Sequence, residues 1–190
     1  DTGTYPKSAL VTTDTEIESQ SMVDYLCSCG HKRIAFITSG DEGLGRCHLN
    51  GYKRSLEKNG LEYDEKLIIR LKPGKRIYTI ENGYNCTCEL LKSGVDFSCI
   101  YAISDTLAVG ACRAVIDSGK RVPEDYCVAG ADGQDIAEYY HPSITTLKYP
   151  RVEIALQSVR TLFDLINRKK VVKRQILGGT LIERESTRKL

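Results

Sequence analysis

The sequence has no apolar run that approaches the roughly 18 residues needed to span a bilayer, so no membrane-spanning segment is predicted. It also has no excess of one charge, because 27 Lys and Arg stand against 25 Asp and Glu, for a formal net charge of +2. The basic residues are scattered along the chain and form no one-sided stripe on a predicted helix. Such a distribution makes this segment by itself a poor reader of nucleic acid.

Residues 1–14 lack a basic stretch followed by an apolar one, so no secretion signal is predicted there. The chain has eight cysteines, which in a small secreted protein would indicate a disulfide framework. Here Cys99 and Cys127 lie in apolar, strand-like runs, and Cys112 lies in a predicted helix rich in Ala and Val. Cysteine in such elements behaves as a small hydrophobic residue, which favours a reducing cytoplasm.

Two C-x-C pairs, Cys27 with Cys29 and Cys86 with Cys88, raise the question of a metal site. Both pairs lie in predicted helices, where residues two apart point about 200° away from each other and do not readily bind one ion. We therefore interpret these cysteines as structural and predict neither a metal site nor a cofactor.

What the sequence does have is a repeated alternation of apolar strands and amphipathic helices. The predicted strands are 8–12, 33–38, 66–71, 99–103, 126–131, 144–147 and a strand-like tail over 171–183. The predicted helices are 16–29, 45–59, 78–92, 106–117 and 151–168. Strand–helix units in this order predict an α/β fold with right-handed crossovers and a parallel sheet flanked by helices on both faces.

The loops at one edge of this sheet are the candidate ligand site, because ligands of such folds bind beyond the carboxyl ends of the strands. Four loops lie at these ends: Ser39–His48, Ser104–Asp105, Asp132–Asp135 and Lys148–Tyr149. Three of them carry a carboxylate and two carry a cation. Charged and polar groups of this kind suit the hydroxyls of a polyol, so a cleft for a small polar ligand is predicted.

Six groups of short motifs resemble the effector domain of the LacI/GalR family of bacterial transcriptional repressors. In chain order they are Gly30–Ile37, Gly51-Tyr52 with Leu56 and Gly60, Ile103–Ala111, Val122–Asp125 followed by Ala129–Asp132, Pro142–Leu147, and Leu181–Thr187. Each is weak alone, but together they follow the order of the family over most of the chain. The resemblance implies the ligand-sensing part of a sugar-responsive repressor.

The same resemblance implies the type I periplasmic-binding-protein-like fold, in which two α/β lobes joined by three crossovers hold the ligand between them. It places 15–147 and 171–190 in a nearly complete C-terminal lobe. It places 1–14 and 148–170 in a remnant of the N-terminal lobe with the crossovers, and it places the DNA-binding head outside the sequence. The predicted helix 151–168 would then expose its apolar face unless another chain covers it.

By resemblance, Asp132 is expected to accept hydrogen bonds from ligand hydroxyls, and capping of the following turn is its alternative role. His48 stands where the family usually has an arginine that anchors the ligand, and an imidazole cannot make the bidentate contact of a guanidinium. Either the ligand differs or Arg46 takes that part. A role for His48 on the helix surface stays open.

Ser104 occupies a position where the family often has a ligand-binding Asn, and it is equally suited to cap a helix. Tyr78 aligns with an aromatic residue that walls the pocket and stacks on sugar C–H groups. Asp41 offers a further acceptor in a loop that is otherwise expected to be solvated, and Asp105 is expected to have a structural role.

The resemblance also implies a homodimer and a small sugar effector, with DNA reached only through the missing head and with no membrane partner. The helix Thr106–Asp117 is interpreted either as part of the dimer face or as ordinary packing on the sheet. Lys148-Tyr149-Pro150 resembles a subset of the family that carries a GntR-type winged-helix head and responds to a pentose, as arabinose repressors do.

Two other classes of protein are weighed against a regulator. A sugar-binding protein of an ABC-type transporter would share the lobes, but it needs a secretion signal, and eight cysteines would be hazardous in an oxidising compartment. An enzyme needs an activated nucleophile or a phosphate cradle. Gly40–Gly45 does not have the G-x-G-x-x-G order, and no histidine lies beside a nucleophile in a recognisable signature. We therefore expect a cytoplasmic regulator that is not an enzyme, with the transport protein as the alternative.

Overall fold

The computed structural model describes residues 8–72, 74 and 76–190, so the first seven residues of the predicted 1–14 segment lie outside it. The strands are β1 (Leu10–Thr12), β2 (Ile34–Thr38), β3 (Ile68–Arg70), β4 (Cys99–Ala102), β5 (Cys127–Asp132), β6 (Thr145–Lys148), β7 (Arg174–Ile176) and β8 (Thr180–Ile182). The helices are α1 (Thr15–Ser28), α2 (Gly43–Lys58), α3 (Ile80–Lys92), α4 (Asp105–Asp117), α5 (Asp135–Tyr139) and α6 (Arg151–Ile166). The sequence pattern predicted each of these except α5, which is little more than one turn long, and except the division of the tail into β7 and β8.

The larger sheet has the strand order β3-β2-β4-β5-β6-β8, and each pair is parallel except β6 with β8. Helix α2 connects β2 to β3 in one direction across the sheet, whereas α3 and α4 connect β3 to β4 and β4 to β5 in the other direction. Because such crossovers are right-handed, α2 lies on one face of the sheet, and α3 and α4 lie on the other. Every residue of β2 and β4 is buried, as expected for central strands covered on both faces. The predicted α/β fold with a mainly parallel sheet flanked by helices is confirmed.

A second, two-stranded sheet is formed by β1 and β7, which run parallel with Leu10 opposite Arg174 and Thr12 opposite Ile176. The sequence pattern predicted one strand-like tail over 171–183, and the family resemblance placed all of 171–190 in the C-terminal lobe. The structure instead divides that tail between two sheets, because β7 pairs with β1 and β8 pairs with β6. The change of sheet occurs at 177–179, where the Leu177 amide still bonds to the Thr12 carbonyl at 2.8 Å.

Helix α6 belongs to the smaller sheet. The side-chain carbonyl of Gln175 on β7 accepts a 2.7 Å hydrogen bond from the Gln157 amide of α6. Its amide group donates a 3.0 Å hydrogen bond to the Thr161 hydroxyl of the same helix. The opposite side of α6 exposes more than half of each of six large apolar side chains. These are Val152, Leu156, Val159, Leu162, Phe163 and Ile166. This is the face that the sequence predicts to be exposed unless another chain covers it.

Helices α3 and α4 pack with their backbones in direct contact through glycine. A Cβ built on Gly110 of α4 would collide with the Ile80 carbonyl oxygen and would lie 2.6 Å from the Tyr84 nitrogen. A Cβ on Gly83 of α3 would likewise collide with the Leu107 carbonyl and lie 2.8 Å from its Cα. Val109 is only 4% exposed, so the small apolar residues of α4 serve packing within the chain.

All eight cysteines lie in the described part of the chain and are free thiols. Cys99, Cys112 and Cys127 are buried in β4, α4 and β5, the elements in which they were predicted. Among the described residues no group of three or more His, Cys, Asp or Glu side chains is placed to hold a metal ion. Over the same residues, no helix has the length and apolar character needed to cross a membrane.

Candidate ligand-binding site

A cavity of about 500 Å³ lies where the carboxyl ends of the central strands face the smaller sheet. This volume falls within the range of small-molecule sites, and the position is the one expected for a ligand of an α/β sheet. Most of the lining side chains are hydroxyl-bearing or otherwise polar. The lining residues are Thr12, Thr13, Thr15, Leu44, His48, Tyr78, Ile103, Ser104, Thr106, Asp132, Gln134 and Tyr149.

Asp132, the last residue of β5, is the one acidic residue in this lining. Its backbone has φ of 104°, a left-handed conformation that is costly for a residue other than glycine. The carboxylate accepts a 2.9 Å hydrogen bond from the Gln134 amide, and the backbone carbonyl accepts one from Arg151, also at 2.9 Å. Burial raises the pKa of Asp132, and the hydrogen bond from Gln134 partly opposes that effect. One contact to Gln134 leaves acceptor capacity on the carboxylate for ligand hydroxyls.

Ser104 both caps a helix and lines the cavity. Its hydroxyl oxygen accepts the Leu107 amide at 3.3 Å, which is an N-cap contact for α4. The same oxygen lies 3.1 Å from the Thr106 hydroxyl, which donates to the Tyr78 carbonyl at 3.2 Å. The two interpretations of Ser104 are therefore compatible, and a network of hydroxyls connects it to the segment that carries Tyr78.

Asp105, fully buried beside the cavity, ties three segments together. One carboxylate oxygen accepts the Thr146 hydroxyl of β6 at 2.6 Å, and the other accepts the Gln134 backbone amide, also at 2.6 Å. A Cβ on Gly130 of β5 would collide with the first oxygen, so the glycine makes room for this side chain. Burial raises the pKa of Asp105 to about 6, although both hydrogen bonds oppose the shift. The predicted structural role is confirmed.

His48 is buried, with only 6% of its surface exposed, so it is not a surface residue of α2. Its Nδ1 atom is buried without a hydrogen-bond partner among the described residues. Burial lowers the pKa of His48 to about 4, so the ring is neutral at physiological pH. A neutral imidazole can donate and accept hydrogen bonds at the cavity, but it does not act as the cationic anchor that an arginine would be.

The lowered pKa makes a testable contribution to stability. His48 has an ordinary pKa near 6.5 in the unfolded chain and about 4 when folded, so its neutral form is favoured on folding. The resulting stability is fully present above pH 6.5 and is lost as the pH falls toward 4. Urea titration measures how much the free energy of unfolding falls between pH 8 and pH 5. We expect this fall to be about 2 kcal/mol smaller in His48→Gln than in the unsubstituted chain.

The exposed His141 provides the matched control for this experiment. Because its side chain is 91% exposed, His141→Gln should not remove the acid destabilisation that the buried ring of His48 causes. Equal slopes for the chain and its His48→Gln variant between pH 8 and 5 would contradict a buried, neutral His48.

Two other predicted site residues lie outside the cavity lining. Asp41 is exposed and accepts two hydrogen bonds from the Arg70 guanidinium, at 2.8 and 2.9 Å, so its charge is paired on the surface. Arg46 is exposed on α2 and is not among the lining residues. Arg46 lies two residues before His48, and positions two apart on a helix face in different directions. The structure therefore does not support Arg46 as a substitute for His48.

The sequence pattern missed eight of the lining residues. Three of them, Thr12, Thr13 and Thr15, lie between the end of β1 and the start of α1, where the sequence predicted a crossover between the lobes but no ligand contact. Gln134 and Tyr149 lie in loops that were singled out without naming these side chains as ligand contacts. The other three are Leu44, Ile103 and Thr106. The cluster of threonines in Thr12–Thr15 was the available signal, but only the pairing of β1 with β7 brings it to the cavity.

Comparison with known proteins gives consistent results for sequence and structure. A family profile described as a periplasmic binding protein-like domain matches residues 23–187. The HTH-type transcriptional regulator MalR of Clostridium butyricum is 41% identical over 146 residues, which are 77% of this chain and 42% of that protein.

Two solved structures show the same similarity in three dimensions. A sugar-binding, LacI-family transcriptional regulator from Escherichia coli, complexed with phosphate, is 31% identical with a TM-score of 0.85 over 94% of this chain and 63% of that one. A LacI-family regulator from Enterococcus faecium with bound ribose is 28% identical with a TM-score of 0.85, covering 99% of this chain and 68% of that one. The chain spans about half the length of the curated relatives it matches.

Proposed function

Because the chain belongs to the periplasmic-binding-protein-like family, in the form carried by LacI-type transcriptional regulators, we propose that it is the effector-sensing part of a bacterial repressor. A small sugar or a related metabolite binds in the cavity between the two sheets. Its binding controls DNA binding by a separate head, and the cavity binds its ligand without transforming it.

The observation that carries this proposal is the placement of Asp132 in a cavity lined with hydroxyl groups. An ionised carboxylate accepts strong, charge-assisted hydrogen bonds from sugar hydroxyls. Ser104, Thr106 and Gln134 lie in the same lining and can orient further hydroxyls. The exposed ring of Tyr78 provides an apolar face for the C–H side of a sugar ring.

The mechanism follows from the two sheets that contribute to the cavity. Thr12 belongs to β1 of the smaller sheet and Thr13 follows it directly, whereas Ser104 and Asp132 follow or end strands of the larger sheet. A ligand that contacts both sides favours one relative orientation of the sheets over others. It can shift that equilibrium only by the difference between its affinities for the two arrangements.

We expect Asp132→Asn to weaken sugar binding by about 30-fold, because a hydrogen bond to a charged group contributes roughly 2 kcal/mol. The measurement is an NMR titration of the isotopically labelled chain with D-ribose, L-arabinose and D-glucose at up to millimolar concentration. The amide signals of Ser104, Thr106 and Gln134 should move on binding, since all three residues line the cavity.

Asp135→Asn is the matched control, because Asp135 is exposed three residues further on and lies outside the cavity lining. Its sugar affinity should equal that of the unsubstituted chain. Failure of every sugar to move these signals would overturn the proposed function. Binding that Asp132→Asn leaves unchanged would overturn the assignment of the site.

A transport-type binding protein is the competing function. The relatives and structures described above are transcriptional regulators, which favours the sensing role. Within this proposal the regulator acts in the cytoplasm as a homodimer. Two exposed residues, Ile116 of α4 and Tyr139 of α5, are candidates for its contact face, and the buried Val109 is not. The choice between a LacI-type and a GntR-type head and the preference for a pentose stay predictions.

A further inference from the structure

Glu18, in the first turn of α1, lies where the connections between the two sheets meet. Its side chain is 95% buried, since only 5% of the residue is exposed. Thr13 of the β1–α1 connection and Gly179 of the β7–β8 connection lie next to its carboxyl group. Tyr149 of the β6–α6 connection is close enough for the charge of Glu18 to raise its pKa. One carboxyl group therefore faces all three segments that join the sheets.

The sequence at Gly179 matches this arrangement. A Cβ built on Gly179 would lie 2.8 Å from the Oε1 atom of Glu18, 2.7 Å from the Leu147 Cδ2 atom and 3.2 Å from the Lys148 carbonyl oxygen. The first two distances are shorter than a Cβ contact allows and the third is tight, so a residue larger than glycine would have to displace the Glu18 carboxyl group and the Leu147 side chain. The junction is thus built around Glu18.

The surroundings of the Glu18 carboxyl group offer little to stabilise a negative charge on it. Neither of its oxygens has a hydrogen-bond partner of good geometry among the described residues. Burial raises the pKa of Glu18 to about 7, with a smaller increase from Asp14, and the nearby Thr13 hydroxyl and Gly179 amide only partly offset this rise. An ionised carboxylate at this position would lack the partners that buried charges normally have.

The titratable and charged groups around Glu18 do not supply a positive charge to it. It faces the phenol of Tyr101 in β4, the phenol of Tyr149 in the β6–α6 connection, and Asp14, the N-cap of its own helix. No cation in the described part of the chain is among the groups that shift the pKa of Glu18. Of the four cations of α2, Arg54 pairs with Glu16, Lys58 pairs with Asp24, Lys53 lies over the Tyr63 ring, and Arg46 is exposed. Other groups on the neighbouring elements are also directed elsewhere: His48 is neutral, Arg174 lines a separate groove with Asp14, the Lys148 side chain runs toward Gly133, and Arg151 donates to the Asp132 carbonyl.

We propose that Glu18 is a positioning residue for the effector site: in its uncharged form it holds Thr13 and Tyr149, two residues of the cavity wall, in place, and its ionisation loosens them. The physical reason is hydration. A carboxylate without partners draws water into the junction, which separates the three connections that pack around it. The effect on binding rests on the proposed function, whereas the effect on the connections does not.

The first test is hydrogen exchange in the full 190-residue chain at pH 6 and pH 8, compared with Glu18→Gln at the same pH. The amide of the glutamine side chain has the shape of the carboxyl group but cannot ionise. At pH 8 we expect residues 12–15, 148–149 and 177–180 to exchange about tenfold faster in the unsubstituted chain than in the variant, and at pH 6 we expect nearly equal rates. Glu18→Met, which also cannot ionise, should behave like Glu18→Gln.

Glu57→Gln, an identical change at an exposed position of α2, is the control and should exchange like the unsubstituted chain at both pH values. Equal exchange in the chain and both Glu18 variants at pH 8 would overturn the inference. A difference of the same size at both pH values would also overturn it, because a structural effect of the substitution does not follow the titration of Glu18.

The second test repeats the titration with D-ribose, L-arabinose and D-glucose at pH 6 and pH 8. In the unsubstituted chain the sugar affinity should fall as the pH rises. The fall should be about tenfold for each unit by which sugar binding raises the pKa of Glu18. In Glu18→Gln the affinity should be the same at both pH values. Parallel pH dependence in both proteins would overturn the link to the effector. Failure of every sugar to bind at either pH would overturn the proposed function and that link together, while the exchange experiment would still decide the role of Glu18 in the junction.

Discussion

Replacing Gly110 with alanine is expected to lower the free energy of unfolding by about 3 kcal/mol, because the added methyl group collides with the backbone of the neighbouring helix. The Cβ would overlap the Ile80 carbonyl oxygen and lie 2.6 Å from the Tyr84 nitrogen. Backbone atoms cannot move aside as a flexible side chain can, so α3 and α4 must separate. Urea-induced unfolding of the chain and the variant measures this loss.

Gly178→Ala is the control for this prediction, since no atom lies within 4 Å of a Cβ at that position. We expect that variant to change the free energy of unfolding by less than about 1 kcal/mol in either direction. Comparable stability for Gly110→Ala and Gly178→Ala would show that the close contact between α3 and α4 does not exist in solution.

Replacing Asp105 with alanine is expected to cost about 4 kcal/mol at pH 5, because it leaves two buried donors without their acceptor. The donors are the Thr146 hydroxyl and the Gln134 backbone amide, each 2.6 Å from a carboxylate oxygen. The substitution should also loosen the segment from Asp132 to Gln134 at the cavity. Faster hydrogen exchange of the Gln134 amide would report that local effect.

The cost of the Asp105 substitution should depend on pH in a definite direction. Burial raises the pKa of Asp105 to about 6, so the folded chain holds this proton more tightly than the unfolded chain, whose aspartate has a pKa of 3.8. The stability that this group contributes is therefore greatest at low pH and falls as the pH rises through 6. We expect the loss in Asp105→Ala to be about 1 kcal/mol smaller at pH 8 than at pH 5.

Asp117→Ala tests whether this loss is specific, because Asp117 lies at the other end of α4 in a partly exposed pair with Arg113. Surface pairs of this kind contribute less than about 1 kcal/mol. A loss in Asp105→Ala no greater than in Asp117→Ala would mean that Asp105 does not tie β6 and the 132–134 loop to α4.

The sequence alone predicted the order of the strands and helices, apart from α5 and the division of the tail, and four of the loops that line the cavity. Buried strands such as Ile34–Thr38 are continuous apolar runs, and amphipathic helices have apolar residues spaced three or four positions apart. Both kinds of element can therefore be recognised from neighbouring residues in the sequence. Because parallel strands end at the same edge of a sheet, the residues that follow them were predictable as neighbours. Asp132, Ser104, Tyr78 and His48 do line one cavity. Their contact with a ligand stays a prediction.

Only the tertiary structure decided which further residues line that cavity and which of the titratable side chains near it are uncharged. The tail over 171–183 has the pattern of a strand, but a pattern does not specify a partner, and β7 and β8 pair in different sheets. Nothing near His48 or Glu18 in sequence indicates that one is buried without a charge and the other lies between three connections. The reason is physical: periodicity is set by neighbours along the chain, whereas burial, pKa and strand pairing are set by residues far apart in sequence that meet only when the chain folds.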